Sequence, residues 1–350
     1  MKEASLGKES IYIEEMHGFE KVTKDLNRLY GCDLIYGDIQ TLTNSETPTE
    51  IVGIVKGPRT KLTAQMFERI ANSAPNPIIG YIGRHPEKIL REDVVYKKDK
   101  VNGQEIFLVQ AGQKEIPLLS MDKSPFSDAV AAYVCGMVSA ILQGRNKEIE
   151  NLTIGNGNGF NKRDGHSFTK ESNPNLKDVT LGVIGAGDVG SRVIDVFSRN
   201  GASIFYTDAS AKPEQFGPNV KQLPEIENIL HRPIEAKKSY VVSLHLPKGV
   251  KVPLKTARGI DILVNTSSGS NIDEDELMLA IKEGRIGHAI LDVFNHEVED
   301  FSNDKMSKHL TDSRLTITPH IAYNNSEAIR KTLQMTIDNI MRFRGKSKKV

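Results

Sequence analysis

Three glycines in the middle of the chain have the spacing of a loop that holds a dinucleotide. Gly185, Gly187 and Gly190 form a Gly-x-Gly-x-x-Gly pattern between the apolar run 179–184 and a segment of helical period. The first glycine of such a loop allows a tight turn, the second lets the backbone approach a pyrophosphate, and the third lets the helix pack against the strand. The phosphates then meet the positive end of the helix dipole. The pattern alone also fits a tight strand-to-helix turn without a ligand.

An acidic residue at the end of the next apolar run strengthens the dinucleotide interpretation. Asp208 closes the run 202–207 and lies 18 residues after Gly190. At this place a dinucleotide-binding fold uses a carboxylate to accept hydrogen bonds from the adenosine ribose hydroxyls. No arginine follows Asp208 to receive a 2′-phosphate, and the nearest base is Lys212. The sequence therefore predicts NAD rather than NADP.

Alternating apolar patterns predict the elements that must hold these residues. Strands are predicted at 11–13, 33–36, 50–55, 77–82, 179–184, 203–207, 240–245, 261–265, 288–293 and near 315–318. Helices are predicted at 18–30, 63–74, 128–143, 188–200, 273–283 and 326–342. Strands that alternate with helices favour parallel sheets covered on both faces. The order therefore predicts two α/β domains.

Two stretches depart from this alternation. Asn102-Gly103 is a strong hairpin signal between the strand-forming runs 93–96 and 105–109, so we expect an antiparallel flap inserted into the first domain. Residues 151–177 are rich in Gly, Asn, Ser and charge, which predicts an extended arm or linker.

Several stretches after the glycine loop resemble the D-isomer-specific 2-hydroxyacid dehydrogenase family. They are Tyr240-Val-Val-Ser-Leu-His-Leu-Pro, Ile262-Leu-Val-Asn-Thr-Ser-Ser-Gly-Ser-Asn-Ile-Asp-Glu-Asp-Glu-Leu, Gly287-His-Ala-Ile-Leu-Asp-Val-Phe-Asn-His-Glu and Thr318-Pro-His-Ile-Ala, in the family's order. The resemblance covers roughly residues 125–335, and the first 120 residues match only in element order and in short echoes.

The resemblance implies an α/β fold of two Rossmann-like doubly wound domains. Residues 1–122 and 322–350 would form a flavodoxin-like substrate domain, and residues 123–321 would form the NAD-binding domain, with the active site between them. Besides the glycines and Asp208, it implies cofactor contacts at the following positions: Asp188, Val189, His245, Pro247, Thr266 and Asp292.

The resemblance also implies a catalytic pair, with His320 as general acid/base and Glu297 as its partner. Moving a hydride between the nicotinamide and a carbinol carbon requires a proton to leave or reach the oxygen, and imidazole titrates in the working range. A carboxylate on the other ring nitrogen fixes the tautomer and raises the pKa of the imidazole. Taken alone, His320 also fits a histidine that caps a strand end, and Glu297 a solvated loop acid.

One position departs from the family pattern at the site of chemistry. The family's Asn-x-x-Arg-Gly turn supplies an arginine that clamps the substrate carboxylate, whereas this chain has Ser268 there. Losing such a donor typically costs on the order of 10²–10³ in rate, and serine cannot make bidentate charge-assisted hydrogen bonds. Arg84, which follows Gly83, is the preferred replacement, and Arg59 is second. Each arginine alternatively fits a solvated loop residue.

Composition restricts the partners and the compartment. The 46 basic and 45 acidic residues nearly balance, so no charge excess points to nucleic acid. The N-terminal residues lack the apolar core of a signal peptide, and the apolar run 129–142 is too short to cross a membrane. Cys32 and Cys135 are expected to be buried thiols in a reducing compartment, and no metal is expected. We expect a cytoplasmic protein, and a homodimer as the resemblance implies.

Three functional hypotheses follow. The leading one is an NAD-dependent oxidoreductase acting on a small anionic 2-hydroxy or 2-oxo acid. A second is a dehydrogenase for a phosphonate or phosphorylated acid, for which Ser268 would widen the anion pocket. The third is a catalytically inactive NAD-binding sensor or scaffold, suggested by the missing arginine. Retention of His320 and Glu297 favours an enzyme, because a binding module does not need a proton relay.

Overall fold

The structure is a computed structural model of the 350-residue chain. It describes residues 10–14, 16, 19–26, 33–37, 51–57, 61–73, 76–82, 86–101, 104–121, 126–143, 175–210, 213–237, 239–295 and 305–345.

In chain order, the strands and α-helices are β1 (Ser10–Glu14), α1 (Phe19–Leu26), β2 (Asp33–Gly37), β3 (Ile51–Lys56), α2 (Ala64–Ser73), β4 (Ile78–Tyr81), β5 (Tyr96–Val101), β6 (Gln104–Ala111), β7 (Lys114–Leu119), α3 (Ser127–Leu142), β8 (Val179–Ile184), α4 (Asp188–Arg199), β9 (Ser203–Thr207), β10 (Val220–Gln222), α5 (Ile226–Leu230), β11 (Ser239–Leu244), β12 (Ile260–Asn265), α6 (Glu274–Lys282), β13 (Ile286–Leu291), β14 (Leu315–Ile317) and α7 (Ser326–Phe343).

These elements fall into two compact units. One unit contains the described residues up to Phe126 together with those from Asn324 onward, and the other runs from Ser127 to Tyr323. The sequence prediction places the corresponding boundaries at 122/123 and 321/322. The chain therefore crosses between the units at two places, just before α3 and just before α7.

The first unit is built on a seven-stranded sheet in the order β2-β1-β3-β4-β7-β6-β5. Strands β1 to β4 and β7 run parallel to their neighbours in this group, and the strand order reverses between β1 and β3. This is a doubly wound, flavodoxin-like arrangement. Its core includes Ile11, Val55 and Ile106 from the sheet and Leu333 and Ile337 from α7, all buried.

The expected antiparallel hairpin is present, but it is part of the sheet rather than a separate flap. Strands β5 and β6 pair antiparallel, and β6 also pairs with β7. Asn102 and Gly103, between β5 and β6 in the sequence, lie outside the described part of the chain. The hairpin thus extends the sheet, and Phe107 and Val109 of β6 are buried in the core of this unit. Strand β7 was not predicted; it contains Pro117, a residue that is unusual in the interior of a sheet.

The second unit contains a sheet in which all seven strands are parallel, in the order β10-β9-β8-β11-β12-β13-β14. The first six follow the strand order of a Rossmann fold, with the switch point between β8 and β11. Every residue of β8 and β11 is buried, which their apolar runs predict. The predicted class of two doubly wound α/β domains is confirmed. Strands β8 and β9 have the predicted bounds, whereas β10, with Val220 as its one apolar residue, was missed.

The two cysteines were expected to be buried thiols. Cys135 of α3 is half-buried, so that expectation was too strong, although its burial still raises the pKa of the thiol. Cys32 lies outside the described residues. Across the described chain, no helix is long and apolar enough to span a membrane.

Candidate functional site

The glycine loop closes tightly at the switch point of the second unit. A Cβ atom added at Gly190 would lie 1.9 Å from the Gly185 carbonyl oxygen, and one at Gly185 would lie 2.4 Å from the His245 carbonyl oxygen. Gly185 also has a φ of +92°, a conformation that side chains rarely adopt. These two glycines bring β8, α4 and the end of β11 into contact, as the loop pattern predicts.

The middle glycine of the loop behaves differently. A Cβ atom at Gly187 would meet nothing within 4 Å, so this side of the loop is open. Gly187 is the N-cap of the 12-residue helix α4 and has no side chain to cap it, and a helix N-terminus favours a bound anion. An open backbone face at a helix N-terminus fits the pyrophosphate of a dinucleotide.

Asp208 follows β9 beside this loop. Its Oδ2 accepts a hydrogen bond of 2.7 Å from the Ala186 backbone N–H. Its Oδ1 accepts bonds from the Ser210 N–H at 2.7 Å and the Ser210 hydroxyl at 3.0 Å. The carboxylate is thereby fixed against the glycine loop, where the sequence places the ribose contact.

Two polar atoms at neighbouring strand ends have no hydrogen-bond partner. Leu244 of β11 is paired with Asn265 of β12, so the next residues, His245 and Thr266, lie at adjacent positions of the sheet edge. His245 Nε2 lies 2.9 Å from the Ser243 hydroxyl, but His245 Nδ1 and Thr266 Oγ1 are buried and unsatisfied. Burial lowers the pKa of His245 to about 3, so its ring is neutral. Buried polar groups are normally paired, and NAD bound at this edge would supply partners.

Short polar side chains form the turn where the family has its arginine. The Ser268 carbonyl accepts a bond of 2.9 Å from the Asn265 amide, and the Ser268 hydroxyl lies 3.0 Å from that of Ser270. A Cβ atom at Gly269 would lie 1.8 Å from the Phe294 carbonyl, so the turn is packed against the chain after β13. The turn thus carries the hydroxyl groups of Ser268 and Ser270 and no cationic side chain.

His320 lies in a turn directly after β14. The Thr318 N–H donates to the Leu291 carbonyl at 2.9 Å, which continues the β13–β14 pairing up to the turn. His320 is exposed, and its ring meets the edge of Tyr323 at 5.6 Å between centroids. The turn therefore presents the imidazole at the same carboxyl edge of the sheet as the glycine loop.

Asp292 holds this turn. Its carboxylate is buried, with 1% exposure, and accepts bonds from the Thr318 hydroxyl at 2.6 Å and from the Ile321 and Ala322 N–H groups at 2.8 Å each. The sequence assigned Asp292 to the cofactor, and that contact stays a prediction. In the structure, Asp292 fixes the residues on both sides of His320 through these hydrogen bonds.

Of the remaining predicted site residues, some lie in the described part of the chain and others do not. Asp188 and Val189 open α4, and Pro247 is exposed after β11. Glu297, Gly83, Arg84 and Arg59 lie outside the described residues. The described part of the chain contains no group of His, Cys, Asp or Glu able to hold a metal ion.

Sequence reasoning missed Tyr133, whose hydroxyl lies 2.5 Å from that of Thr318. The only available signal was a hydroxyl-bearing aromatic residue within an otherwise apolar helix. Tyrosine hydroxyls that enter a buried region usually find a partner, but the sequence does not say which one.

Comparisons with known proteins agree with this geometry. Residues 158–322 match the model of the D-isomer specific 2-hydroxyacid dehydrogenase, NAD binding domain. The D-specific alpha-keto acid dehydrogenase of Enterococcus faecium is 30% identical over 191 residues, which are 51% of this chain and 57% of that protein. The erythronate-4-phosphate dehydrogenase of Bacteroides thetaiotaomicron is 27% identical over 177 residues, which are 47% of each chain. The chain thus spans about half the length of the curated relatives it matches.

The likeness of fold extends further than the likeness of sequence. A solved structure of D-2-hydroxyisocaproate dehydrogenase matches with a TM-score of 0.73 over 97% of this chain and 98% of its own, at 18% identity. At that identity the match concerns the fold alone.

Proposed function

Because residues 158–322 belong to the D-isomer specific 2-hydroxyacid dehydrogenase family as its NAD binding domain, we propose that the whole chain is an NAD-dependent oxidoreductase. Its substrate is a small anionic 2-hydroxy or 2-oxo acid. The observation that carries the proposal is the placement of the His320 turn and the glycine loop on one carboxyl edge of one parallel sheet. Ligands of open α/β sheets bind at that edge, next to the switch point.

His320 is the general acid/base of the proposed reaction. NAD supplies or accepts the hydride when it is bound. The imidazole takes a proton from the substrate hydroxyl in the oxidation and returns it to the carbonyl oxygen in the reduction. Glu297, outside the described residues, fills the role of the carboxylate that fixes the ring tautomer.

The chain's own residues also fit the cofactor. Gly187 would leave space for the pyrophosphate, Asp208 would accept hydrogen bonds from the adenosine ribose, and His245 and Thr266 offer unsatisfied polar atoms at the next strand ends. Asp188, Val189 and Pro247 complete the predicted set. These residues bind and orient; none of them moves a proton in the proposed reaction.

Recognition of the substrate anion is assigned to Arg84, with Arg59 as the second choice. Ser268 cannot pair with a carboxylate as a guanidinium does, so another cation has to take that part. Arg84→Ala should raise the substrate KM and lower kcat/KM by at least about 100-fold. An unchanged kcat/KM would remove Arg84 from the site and leave Arg59 as the next candidate.

A phosphorylated acid is the second candidate substrate. Ser268 stands at the position of the family's arginine, so a larger anion pocket is expected there, and the Ser268 and Ser270 hydroxyls, 3.0 Å apart, could contribute hydrogen bonds to the anion. The Bacteroides thetaiotaomicron relative is an erythronate-4-phosphate dehydrogenase, which makes a phosphorylated acid a reasonable member of a test panel.

The experiment that tests these proposals is a panel of 2-oxo acids, including phosphorylated and phosphonylated ones, scored by NADH consumption. Turnover of simple 2-oxo acids supports the first candidate, and selective turnover of phosphorylated ones supports the second. If NADH binds but no acid is reduced by the wild type, whereas Ser268→Arg creates activity, the chain is instead an NAD-binding sensor or scaffold.

The assembly and compartment belong to the same proposal. We propose a homodimer, as the family resemblance implies and as the apolar character of α3 supports, and we propose that the protein works in the cytoplasm.

A further inference from the structure

The backbone of His320 has an unusual conformation. Its φ is +53°, and within the described part of the chain it is the one non-glycine residue with a positive φ. The left-handed region is disfavoured for residues that carry a Cβ. Such a conformation persists only where the surrounding structure enforces it, and it is frequent at functional sites.

Asp292 accepts hydrogen bonds from residues on both sides of His320. One of its oxygens accepts bonds from the Thr318 hydroxyl and the Ile321 N–H, and the other accepts from the Ala322 N–H. The three donors come from residues before and after the histidine. A buried carboxylate that gathers three donors fixes the path of the chain between them.

Tyr133 adds a contact from a different element. Its hydroxyl, on helix α3, lies 2.5 Å from the Thr318 hydroxyl. Because a hydroxyl has one proton, and the Thr318 proton is donated to Asp292, the Tyr133 hydroxyl is the donor in this pair. The result is a directed chain from Tyr133 through Thr318 to Asp292, in which each bond polarises the next.

We propose that Tyr133 is a positioning residue for the acid/base function of His320. By donating to Thr318 it orients the hydroxyl that Asp292 binds, and it connects α3 to the turn that holds His320 in the left-handed conformation. The catalytic part of this inference rests on the function proposed above, whereas the structural part does not. Partial burial also raises the pKa of the Tyr133 phenol, which keeps it protonated as a donor.

The test compares Tyr133→Phe with a matched control. Phenylalanine keeps the ring and removes only the hydroxyl. Tyr240→Phe removes an equally short bond, the 2.5 Å bond from the Tyr240 hydroxyl to the Ile229 carbonyl. Tyr240 lies near the start of β11 in the same unit, at the sheet edge opposite to the His320 turn. Both variants should lower the melting temperature, so stability alone does not discriminate between them.

Two readouts do discriminate. Amide hydrogen exchange of the peptide covering residues 316–325 should be about three- to tenfold faster in Tyr133→Phe and unchanged in Tyr240→Phe, since one hydrogen bond is typically worth such a factor. With a substrate found by the panel, kcat should fall by about the same factor in Tyr133→Phe while the NADH Kd stays within twofold. Equal exchange and equal kcat in the two variants would overturn the proposal.

A second pair of variants covers the possibility that Tyr133→Phe does not fold. Thr318→Ser retains the linking hydroxyl, and Thr318→Val removes it at nearly constant shape. The proposal expects fast amide exchange and low kcat for Thr318→Val, and near-native values of both for Thr318→Ser. Equal exchange rates and equal kcat in these two variants would contradict it. If the wild type reduces no acid at all, the proposed function fails, and the exchange measurements still decide whether Tyr133 positions the turn.

Discussion

His320 is the residue on which the proposed chemistry depends most directly. We expect His320→Gln to lower kcat by 10²–10⁴-fold, the usual contribution of general acid–base catalysis. The NADH Kd should stay within a few-fold, because His320 is assigned to the proton and not to the cofactor. Steady-state kinetics and NADH fluorescence titration measure the two quantities.

The control for His320 is another histidine of the same unit, the half-buried His309, which ends a short 3-10 helix before β14. His309→Gln should leave both quantities unchanged. If His320→Gln keeps more than about a tenth of the wild-type rate, then His320 is not the acid/base.

Asp208 should decide between NADH and NADPH. Its carboxylate is fixed by the Ala186 N–H and by Ser210, so it cannot turn away from a 2′-phosphate and would repel it. We expect at least tenfold tighter binding of NADH than of NADPH, and a narrower gap in Asp208→Asn, which keeps an oxygen for Ala186 and removes the charge. NADPH bound as tightly as NADH by the wild type would refute the assignment.

His245 should make the protein sensitive to acid. Its pKa is about 3 in the folded protein because the ring is buried, whereas the unfolded histidine takes up a proton near pH 6.5. The unfolded state therefore binds more protons between these values. Stability from this group is complete above pH 6.5 and declines as the pH falls towards 3, by up to about 1.4 kcal/mol per pH unit.

Urea unfolding at pH 7.5 and pH 5.0 measures this effect. His245 should account for about 2 kcal/mol of the loss between these pH values, so His245→Gln should show a correspondingly smaller loss than the wild type. Equal losses in the two proteins would mean that His245 is solvated in the folded state.

At the scale of elements, two glycines where β8 meets α4 are expected to differ in their roles: Gly190 in packing the helix and Gly187 in binding NADH. In Gly190→Ala the new methyl would lie 1.9 Å from the Gly185 carbonyl oxygen, so the helix has to move. We expect a lower melting temperature and loss of NADH binding. In Gly187→Ala the methyl meets no protein atom, so the melting temperature should hold while NADH binding weakens.

Melting curves with and without NADH distinguish the two glycine variants. If Gly187→Ala binds NADH as tightly as the wild type, the pyrophosphate does not lie on the open face of the loop. If Gly190→Ala is as stable as the wild type, the contact between β8 and α4 is looser than the structure indicates.

The same scale shows how the site is assembled. Parallel strands place their carboxyl ends at one edge, so the segments after β8, β9, β11, β12, β13 and β14 meet there although they are far apart in sequence. The Asp292 N–H donates to the Asn265 carbonyl at 3.1 Å, which joins the ends of β12 and β13. Residues in these segments were therefore predictable as neighbours once the strands were recognised.

For the whole molecule we expect a homodimer. Sedimentation velocity at micromolar concentration should give a mass near twice the 38.8 kDa of one chain. We propose the apolar helix α3 as part of the interface. A single species at the monomer mass would contradict the dimer without affecting the proposed chemistry.

The sequence by itself determined the parts of this protein that local spacing encodes. The glycine loop, Asp208 and the bounds of β8 and β9 follow from periodicity and turn chemistry within about 30 residues, and the order of strands then implies the parallel sheet. Local spacing does not identify β7 as a strand, because Pro117 is unfavourable inside a sheet. Pairing with β4 and β6 stabilises this strand.

Only the tertiary structure decided the features that depend on distant contacts. The bond between Tyr133 and Thr318 joins residues 185 positions apart, and the three bonds to Asp292 come from residues about 30 positions away. The lowered pKa of His245 follows from its burial in the folded protein. Sequence patterns identify residue types and local conformation, whereas hydrogen-bond partners and solvation are properties of packing between segments that only the fold brings together.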